Sequence, residues 1–538
     1  MPLTKMQIEA GIFKDDTVYS QENRYVDANK IRFMKSRPEK IGGWAKLDTD
    51  TITSGVARTI LPFRGQVANN KRYIGIGTHS HLYLYDDGAG SYIDITPGSS
   101  YSAGAQHTTI SSGVFTFAGI WTMDTFGEDL LCVNKIGGKL YKLDLSAYQG
   151  DATTNAAVVT AASGSSIPST ANGVIVNQQS RQVILFGAHD GTNDAPMRVA
   201  FSDLESDNDF TATLDNFAGA VELQGGNLLL GAVRTKGNIL LFSDTTAFSM
   251  TFVGQPDVFA FQTLAENAGI VGPNAVVEHN GIVYWMGNDG FYAYSGQVQS
   301  IPCTVERHVF DNLTKQQKLK CFAALNTKFN EVWWFYPTGS NDASDDITNY
   351  VIYNYLENVW SVGTLARGAW AAEGIYDNPL ATSLAASSSV IFKHESGTDD
   401  DGSAMECTIT SGDMDLPPDG DDMMYVTDFV PDFDDQVGDV TVTLKFRDHP
   451  NGTQRTEETI TSGTGTTHQS IRARGRQMSI VVSSNATSSH WRMGDHRYNI
   501  QADGKRNTSA KKKNVLSVEK LYLKAKRLVS TCNAVLQN

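Results

Sequence analysis

A repeated unit of two short apolar strands, joined by a polar or glycine-rich turn, constrains this chain most strongly. Within each unit, apolar and polar residues alternate with a period of two and Asn, Asp or Gly occupies the turn, which is the signature of a β-hairpin. The units begin at residues 73, 130, 183, 238, 282 and 331, and a weaker seventh lies around residues 389–394. This pattern predicts an all-β protein.

The spacing of the units discriminates between all-β architectures. Successive units begin 57, 53, 55, 44 and 49 residues apart, and a step of this size holds about four strands, which make one propeller blade. We therefore predict a β-propeller-like ring of about six to seven blades over residues 51–395. A stack of β-sandwich domains explains the strand content equally well, but it does not explain so even a spacing.

Residues 1–50 precede the first hairpin and are predicted to pair with the ring or with a neighbouring chain. Residues 32–47, RFMKSRPEKIGGWAKL, contain a strand, a proline turn and a Gly-Gly-Trp sequence. Propellers avoid free edges by closing on themselves, so one strand of the ring can come from the far end of the chain. We hypothesise that this segment pairs with the strands near residues 389–394.

Acidic residues dominate the segment that follows the ring. Thirteen Asp or Glu residues and no Lys or Arg lie between positions 399 and 435, and clustered like charges resist compaction. Residues 396–436 are therefore predicted to be a linker or an exposed excursion, and residues 437–503 a small C-terminal β domain with strands at 439–446 and 477–483. The predicted acidic cluster, facing a lumen or the outer surface, comprises Asp399, Asp400, Asp401, Asp419, Asp421 and Asp422.

The last segment, residues 504–538, is basic. Nine Lys or Arg residues and one acid lie between positions 505 and 527, and apolar residues recur at helical spacing from Val518 to Leu528. A basic amphipathic helix is compatible with DNA phosphate contacts, with docking on a partner subunit, or with a solvated extension, and docking is slightly favoured. The candidate partner or DNA contacts are Lys511, Lys512, Lys513, Lys524 and Arg527.

Charge and motifs exclude several functional classes. The net charge of −15 argues against a general nucleic-acid binder, yet it suits a wall along which DNA slides without sticking. Five scattered cysteines without C-x-x-C spacing, and an N-terminus without a signal-like apolar run, favour reduced thiols and a cytoplasmic origin without a membrane anchor. No phosphate-binding loop, nucleophile elbow or zinc motif is found, so no catalytic residue, cofactor or metal is predicted.

Aromatic runs suggest an alternative function, the binding of sugars. Residues 333–336, Trp-Trp-Phe-Tyr, are the densest of several aromatic clusters that would suit a sugar-stacking platform. Aromatic side chains that alternate along strands more often pack between blades, which is the favoured interpretation. Trp334 and Tyr336 are then expected to be the more exposed members.

Several segments together resemble tail proteins of short-tailed bacteriophages. They are Gly-Ile-Phe-Lys-Asp-Asp from Gly11, Asn-Lys-Ile-Arg-Phe from Asn29 leading into Lys-Ile-Gly-Gly-Trp from Lys40, and the strand from Arg472 leading to Trp-Arg-Met-Gly-Asp at Trp491. The chain is similar over roughly residues 10–505 to the tail nozzle, or DNA stabilisation, family of hub proteins, and the later residues lie outside the resemblance.

The resemblance implies a structural virion protein and not an enzyme. Six copies would form a ring below a tail adaptor ring, beside tail fibre or needle proteins, and double-stranded DNA would pass through the channel without sequence specificity until ejection. Assembly would take place in the host cytoplasm, and the product would reside in the virion tail. Two alternatives stay open: a receptor- or glycan-binding tail protein, and a propeller-type polysaccharide hydrolase with paired carboxylates.

Overall fold

The computed structural model describes residues 3–66, 70–98, 101–148, 150–340, 342–415 and 422–505. Nearly all of the regular structure in these ranges is strand. The described helical segments are Leu145–Tyr148, Glu306–Asn312 and the 3-10 segments Lys315–Lys320 and Thr327–Phe329. The all-β class predicted from the hairpin pattern is confirmed.

Seven four-stranded sheets, here called blades 1 to 7, form a propeller within the described ranges. Blade 1 contains Ala57–Arg64, Arg72–Thr78, Leu82–Asp86 and Ser91–Asp94; blade 2 contains Thr122–Phe126, Asp129–Val133, Leu140–Leu143 and Ala157–Val158. Blade 3 contains Gly173–Asn177, Gln182–Phe186, Arg198–Phe201 and Gly219–Glu222; blade 4 contains Leu229–Arg234, Ile239–Ser243, Thr246–Gly254 and Val258–Glu266. Blade 5 contains Val276–His279, Ile282–Met286, Phe291–Tyr294 and Val298–Ile301; blade 6 contains Phe322–Asn326, Glu331–Pro337, Ile347–Asn354 and Val359–Thr364. Blade 7 contains Trp370–Ala371, Leu380–Thr382, Ile391–His394 and Trp44–Lys46.

The ring closes through a strand from the N-terminal part of the chain. Each blade's first strand lies beside the first strand of the next blade, and the first strand of blade 7 lies beside that of blade 1. Trp44–Lys46 pairs antiparallel with Ile391–His394, so that Trp44 faces His394 and Lys46 faces Phe392. This is the pairing that the sequence hypothesis expected, and it leaves blade 7 dependent on both ends of the ring.

Apolar side chains between neighbouring blades hold the ring together. Trp121, Leu130 and Tyr141 of the blade 2 region pack with Tyr73 and Leu82 of blade 1 in one buried cluster. The glycines of the Gly-Ile-Gly sequence in blade 1 serve this packing, because a Cβ on Gly77 would lie 2.3 Å from Cδ1 of Trp121. Glycine is therefore required at this position by close approach and not by a phosphate-binding turn.

A second β domain combines both ends of the chain. Its largest sheet contains, in order, Glu9–Ile12, Arg24–Asn29, Cys407–Ser411, Gln477–Ser484, Val440–Arg447 and Arg455–Ser462, with Met414–Asp415 paired to Gln477–Ser484. A second sheet contains Thr4–Lys5, Arg497–Lys505, Asp422–Val430 and Gln469–Gly475. A third contains Phe433–Val437, His490–Met493, Arg37–Lys40 and Ile31–Met34. The second domain is therefore discontinuous in sequence.

Two predicted boundaries were wrong. Residues 396–436 are not a linker, since four strands of the second domain lie between residues 407 and 437. The domain does not begin at 437, because strands between residues 4 and 40 also belong to it. In Asp422–Val430, Met424, Val426 and Phe429 are buried, whereas Asp428 is half-exposed and accepts hydrogen bonds from partners such as Asn499. The apolar face thus outweighs the repulsion between partly solvated carboxylates.

Candidate functional site

The acids predicted to form a lumenal or surface cluster lie partly at the closure of the propeller. The indole Nε1 of Trp44 donates to Oδ1 of Asp400 at 2.5 Å, and Nζ of Lys46 lies 3.1 Å from Oδ2 of Asp401. Asp399 accepts a hydrogen bond from the backbone N–H of Ser488 at 2.5 Å, which connects this loop to the second domain. Asp400 and Asp401 therefore stabilise the closing strand, and Asp399 links this loop to the second domain.

The other predicted site residues are separated from that loop or lie outside the described ranges. Asp422 is half-buried in the strand Asp422–Val430, where its backbone is in register with that of Lys505 in the neighbouring strand. Asp419 and Asp421 lie outside the described residues. The same is true of the predicted partner or DNA contacts Lys511, Lys512, Lys513, Lys524 and Arg527.

The aromatic runs form the interior of the propeller. Phe335 and Trp333 pack with Tyr350 and Trp370 between blades 6 and 7, and Trp334 packs with other residues in the largest buried cluster. The packing interpretation is confirmed for this run. The expectation that Trp334 and Tyr336 are more exposed was wrong, because both are 0% exposed. Alternate side chains of this strand pack against blade 7 on one side and blade 5 on the other. Both faces of the strand are therefore buried, and the alternation of side chains does not indicate a solvent-exposed face.

The centre of the propeller holds a small cavity bordered by ion pairs. It measures about 300 Å³ and is lined by the first strands of all seven blades. Arg58 makes a bidentate contact of 2.6 Å with Asp346, and Arg234 pairs with the buried carboxylate of Asp124 across blades 4 and 2. A DNA duplex, whose major groove alone is about 12 Å wide, does not fit through such a cavity.

A polar cluster around Lys320 lies beside the ion pair of Arg58 and Asp346, and Nζ of Lys320 is 3.8 Å from Oδ2 of Asp346. The buried Nζ of Lys320 lies within hydrogen-bonding distance, 2.7 Å, of Nδ1 of His107, and it donates to the backbone carbonyl of Asp345 at 2.9 Å. Burial, reinforced by Arg58, lowers the pKa of Lys320 to about 7. The cluster fixes residues 107–108 against the segment that precedes blade 6.

A buried ionic clamp joins the two domains. Nε of Arg32 donates to Oε1 of Glu331 at 2.9 Å, and its Nη2 lies 2.5 Å from Oε1 of Glu395. The side chains of Arg32 and Glu331 are each 1% exposed, and that of Glu395 is 7% exposed. Arg32 belongs to the second domain, whereas Glu331 belongs to blade 6 and Glu395 follows blade 7. Sequence reasoning missed this clamp because no local pattern marks it.

The clamp holds one formal positive charge and two carboxyl groups. Burial raises the pKa of Glu331 to about 7, although Arg32 partly opposes the shift. Burial would lower the pKa of Arg32, but the two carboxylates outweigh it and raise that pKa. One carboxyl group thus retains affinity for a proton near neutral pH. Arg32 binds both carboxyl groups, and all three side chains are shielded from solvent. This geometry suits a structural contact that holds the two domains together.

Buried histidines make the second domain sensitive to acid. His496 is 4% exposed, its Nδ1 accepts the backbone N–H of Asp432 at 2.9 Å, and burial lowers its pKa to about 4. The folded chain therefore binds fewer protons than the unfolded chain between pH 6.5 and 4, so acidification across this range favours unfolding. We expect the free energy of unfolding to fall by up to about 3 kcal/mol from this residue alone.

Urea denaturation of His496→Gln at pH 7, 6, 5 and 4 is expected to show a smaller acid-induced loss than the wild type. The control is the exposed His449: the His449→Gln variant should show the same dependence of stability on pH as the wild type. An unaltered profile in the His496 variant would contradict the role of this imidazole.

Comparisons with known proteins match the fold and go no further. No family model matches the sequence, and no curated protein sequence matches it. The Pan2 WD40 domain of Neurospora crassa is a similar solved structure, with 7% identity, a TM-score of 0.38, and coverage of 69% of this chain and 99% of that one. A putative exported protein of Bacteroides fragilis has 9% identity, a TM-score of 0.27 and coverage of 72% and 98%. Hsv2 of Kluyvelomyces marxianus has 10% identity, a TM-score of 0.25 and coverage of 49% and 68%.

The described ranges contain neither a metal-binding cluster nor a membrane-spanning helix. Within them, no three His, Cys, Asp or Glu side chains converge as ligands of a metal ion would. The helices in the same ranges are too short and too polar to cross a bilayer.

Proposed function

We propose that this chain is the nozzle subunit of a short-tailed bacteriophage, a structural virion protein that lines the DNA-conducting tail channel and retains the packaged genome until ejection. The sequence resemblance motivates the proposal. The observation that carries it is the shared N-terminal segment, which forms part of the second domain and also closes the propeller.

Rigidity is the property that a pressurised channel wall requires. The segment from Glu9 to Lys46 contributes strands to both domains, so separating the domains would break the clamp at Arg32 and the closure at Trp44. The two domains therefore transmit load as a unit.

The charge distribution supports a low-friction path for DNA. Residues 506–538 contain eight Lys or Arg and one Glu, which gives +7, and the total of −15 therefore leaves −22 on residues 1–505. Carboxylates repel phosphates over about 8–10 Å at physiological salt, so those that line an opening would keep a duplex from adhering. Because the channel of a single propeller is too small, the duplex would pass through an opening formed by several copies.

The proposal predicts a defined oligomer, with six copies around the opening. Light scattering coupled to size-exclusion chromatography should give a particle of six times the 58.6 kDa chain mass, alone or in the presence of a tail adaptor ring. A monomer at every concentration tested, with and without the adaptor ring, would contradict the assignment. Specific retention on a glycan array by that monomer would instead support a receptor-binding protein.

A further inference from the structure

An exposed apolar hairpin extends from the connection between blades 1 and 2. Its strands, Thr109–Ser111 and Val114–Thr116, pair only with each other among the described strands, with Ile110 opposite Phe115. All six residues are exposed, and the exposed fractions of Ile110, Val114 and Phe115 are 49%, 66% and 57%. Three large apolar side chains are thus presented to solvent on one small element.

The base of the hairpin is held firmly. The backbone N–H of Thr108 donates to Oε1 of Gln317 at 3.0 Å, and Nε2 of Gln317 donates back to the carbonyl of Thr108 at 2.7 Å. Both residues are buried, and the contact between Lys320 and His107 lies next to them. Just after the second strand, the backbone N–H of Ala118 donates to Oγ1 of Thr108 at 3.2 Å. The tip is therefore presented from a fixed base.

An isolated two-stranded hairpin is at best marginally stable in water, and free strand edges invite pairing with another chain. Exposed apolar residues on a fixed element are a mark of an interaction surface. Because the base is already ordered, the hairpin loses little conformational entropy when a partner covers its tip. The hairpin has the features of a contact that is completed in an assembly.

Charge indicates the identity of the partner. Residues 108–122 contain no Asp, Glu, Lys or Arg, although residues 1–505 carry a net charge of −22. Copies of so acidic a chain repel one another, and the repulsion is smallest where the contacting surface carries no charge. A docking site for a basic protein would be expected to retain carboxylates. An uncharged apolar element therefore suits contact between like-charged copies.

We infer that the hairpin of residues 109–116 is the contact through which one copy of this chain binds the next in the ring. This inference rests on the proposed function, since it assigns the surface that holds the nozzle ring together. An apolar contact between acidic copies also predicts a salt response: raising the ionic strength from about 0.05 to about 0.5 M screens the repulsion and should not dissociate the oligomer.

The first test compares two acidic substitutions at exposed apolar positions. Phe115→Asp is expected to shift the oligomer to monomer and to weaken association at least tenfold, as measured by light scattering over a concentration series. The control is Leu214→Asp, because Leu214 is 98% exposed in a different loop, and it should assemble as the wild type does. Circular dichroism and thermal unfolding should be the same for all three proteins.

The second test identifies what the hairpin touches. Phe115→p-benzoylphenylalanine is irradiated in a mixture of isotopically light and heavy copies, and mass spectrometry should find adducts that join light to heavy chains. Adducts confined to one chain, including adducts to residues 506–538, would overturn the inference. An assembled ring without any adduct at this position would overturn it as well.

The two proposals fail in different ways. If the wild type assembles a ring and Phe115→Asp assembles it equally well, the hairpin contact is refuted and the nozzle proposal is not. If Leu214→Asp dissociates as fully as Phe115→Asp, added charge alone prevents assembly and the specific contact is refuted. If the wild type never assembles, even with an adaptor ring, the nozzle proposal fails and the hairpin contact fails with it.

Discussion

Replacing Arg32 with methionine is expected to lower the free energy of unfolding by about 3–5 kcal/mol. Methionine keeps most of the side-chain volume, but it leaves the buried carboxyl groups of Glu331 and Glu395 without their cation. Urea denaturation followed by tryptophan fluorescence measures the loss. Because the pKa of Glu331 is already raised, protonation relieves part of the penalty, and the loss should be smaller at pH 5 than at pH 8.

An exposed ion pair supplies the matched control. Arg307 lies 3.9 Å from Asp311, and the two side chains are 75% and 71% exposed. Exposed pairs contribute at most about 1 kcal/mol, so Arg307→Met should have a small effect that does not depend on pH in the same way. If the Arg32 and Arg307 variants were equally stable, the clamp would not be what fastens the two domains.

Replacing Trp44 with alanine is expected to cost about 3–5 kcal/mol, because the indole is 2% exposed within the closing strand. Its ring centroid lies 5.2 Å from that of His394, and the guanidinium of Arg367 lies 4.7 Å above it. Loss of the indole should loosen the pairing with Ile391–His394 and open blade 7 first. Hydrogen exchange in residues 370–394 should accelerate more than exchange in blades 3 and 4.

Two further substitutions divide the contribution of Trp44. Trp44→Phe keeps an aromatic ring but loses the N–H donor to Asp400, and an intermediate loss of about 1–3 kcal/mol is expected. Leu356→Ala removes an apolar side chain that is 66% exposed and should change stability by at most about 0.5 kcal/mol. A Trp44→Ala variant as stable as the Leu356 variant would show that the ring does not depend on this strand.

The hairpins of the propeller could be predicted from the sequence, because they depend on residues that are close together in the chain. The hairpin units at residues 73, 130, 183, 238, 282 and 331 all fall within blades, because alternation of buried and exposed side chains is a property of neighbouring residues. The Gly-Gly-Trp sequence before Ala45 also pointed to the closing strand. The glycine turn and the large apolar residue can be recognised in the sequence without knowing which strand they pair with.

Long-range pairing explains what was missed. Arg32 and Glu331 are separated by 299 positions, and each looks like an ordinary surface charge in its own segment. The acids from Asp399 to Asp435 were counted as a block, whereas the structure distributes them along strand faces and gives several of them partners. The discontinuous second domain follows from these contacts, which a single sequence does not display.

The most direct test of the account is electron microscopy of the purified protein with a tail adaptor ring. We expect class averages with six-fold symmetry around an opening wider than a DNA duplex, with one propeller in each of the six repeating units. Averages that show isolated two-domain particles under all conditions, or a ring whose opening is blocked by the propellers themselves, would contradict the central claim that this chain is a channel-forming structural subunit.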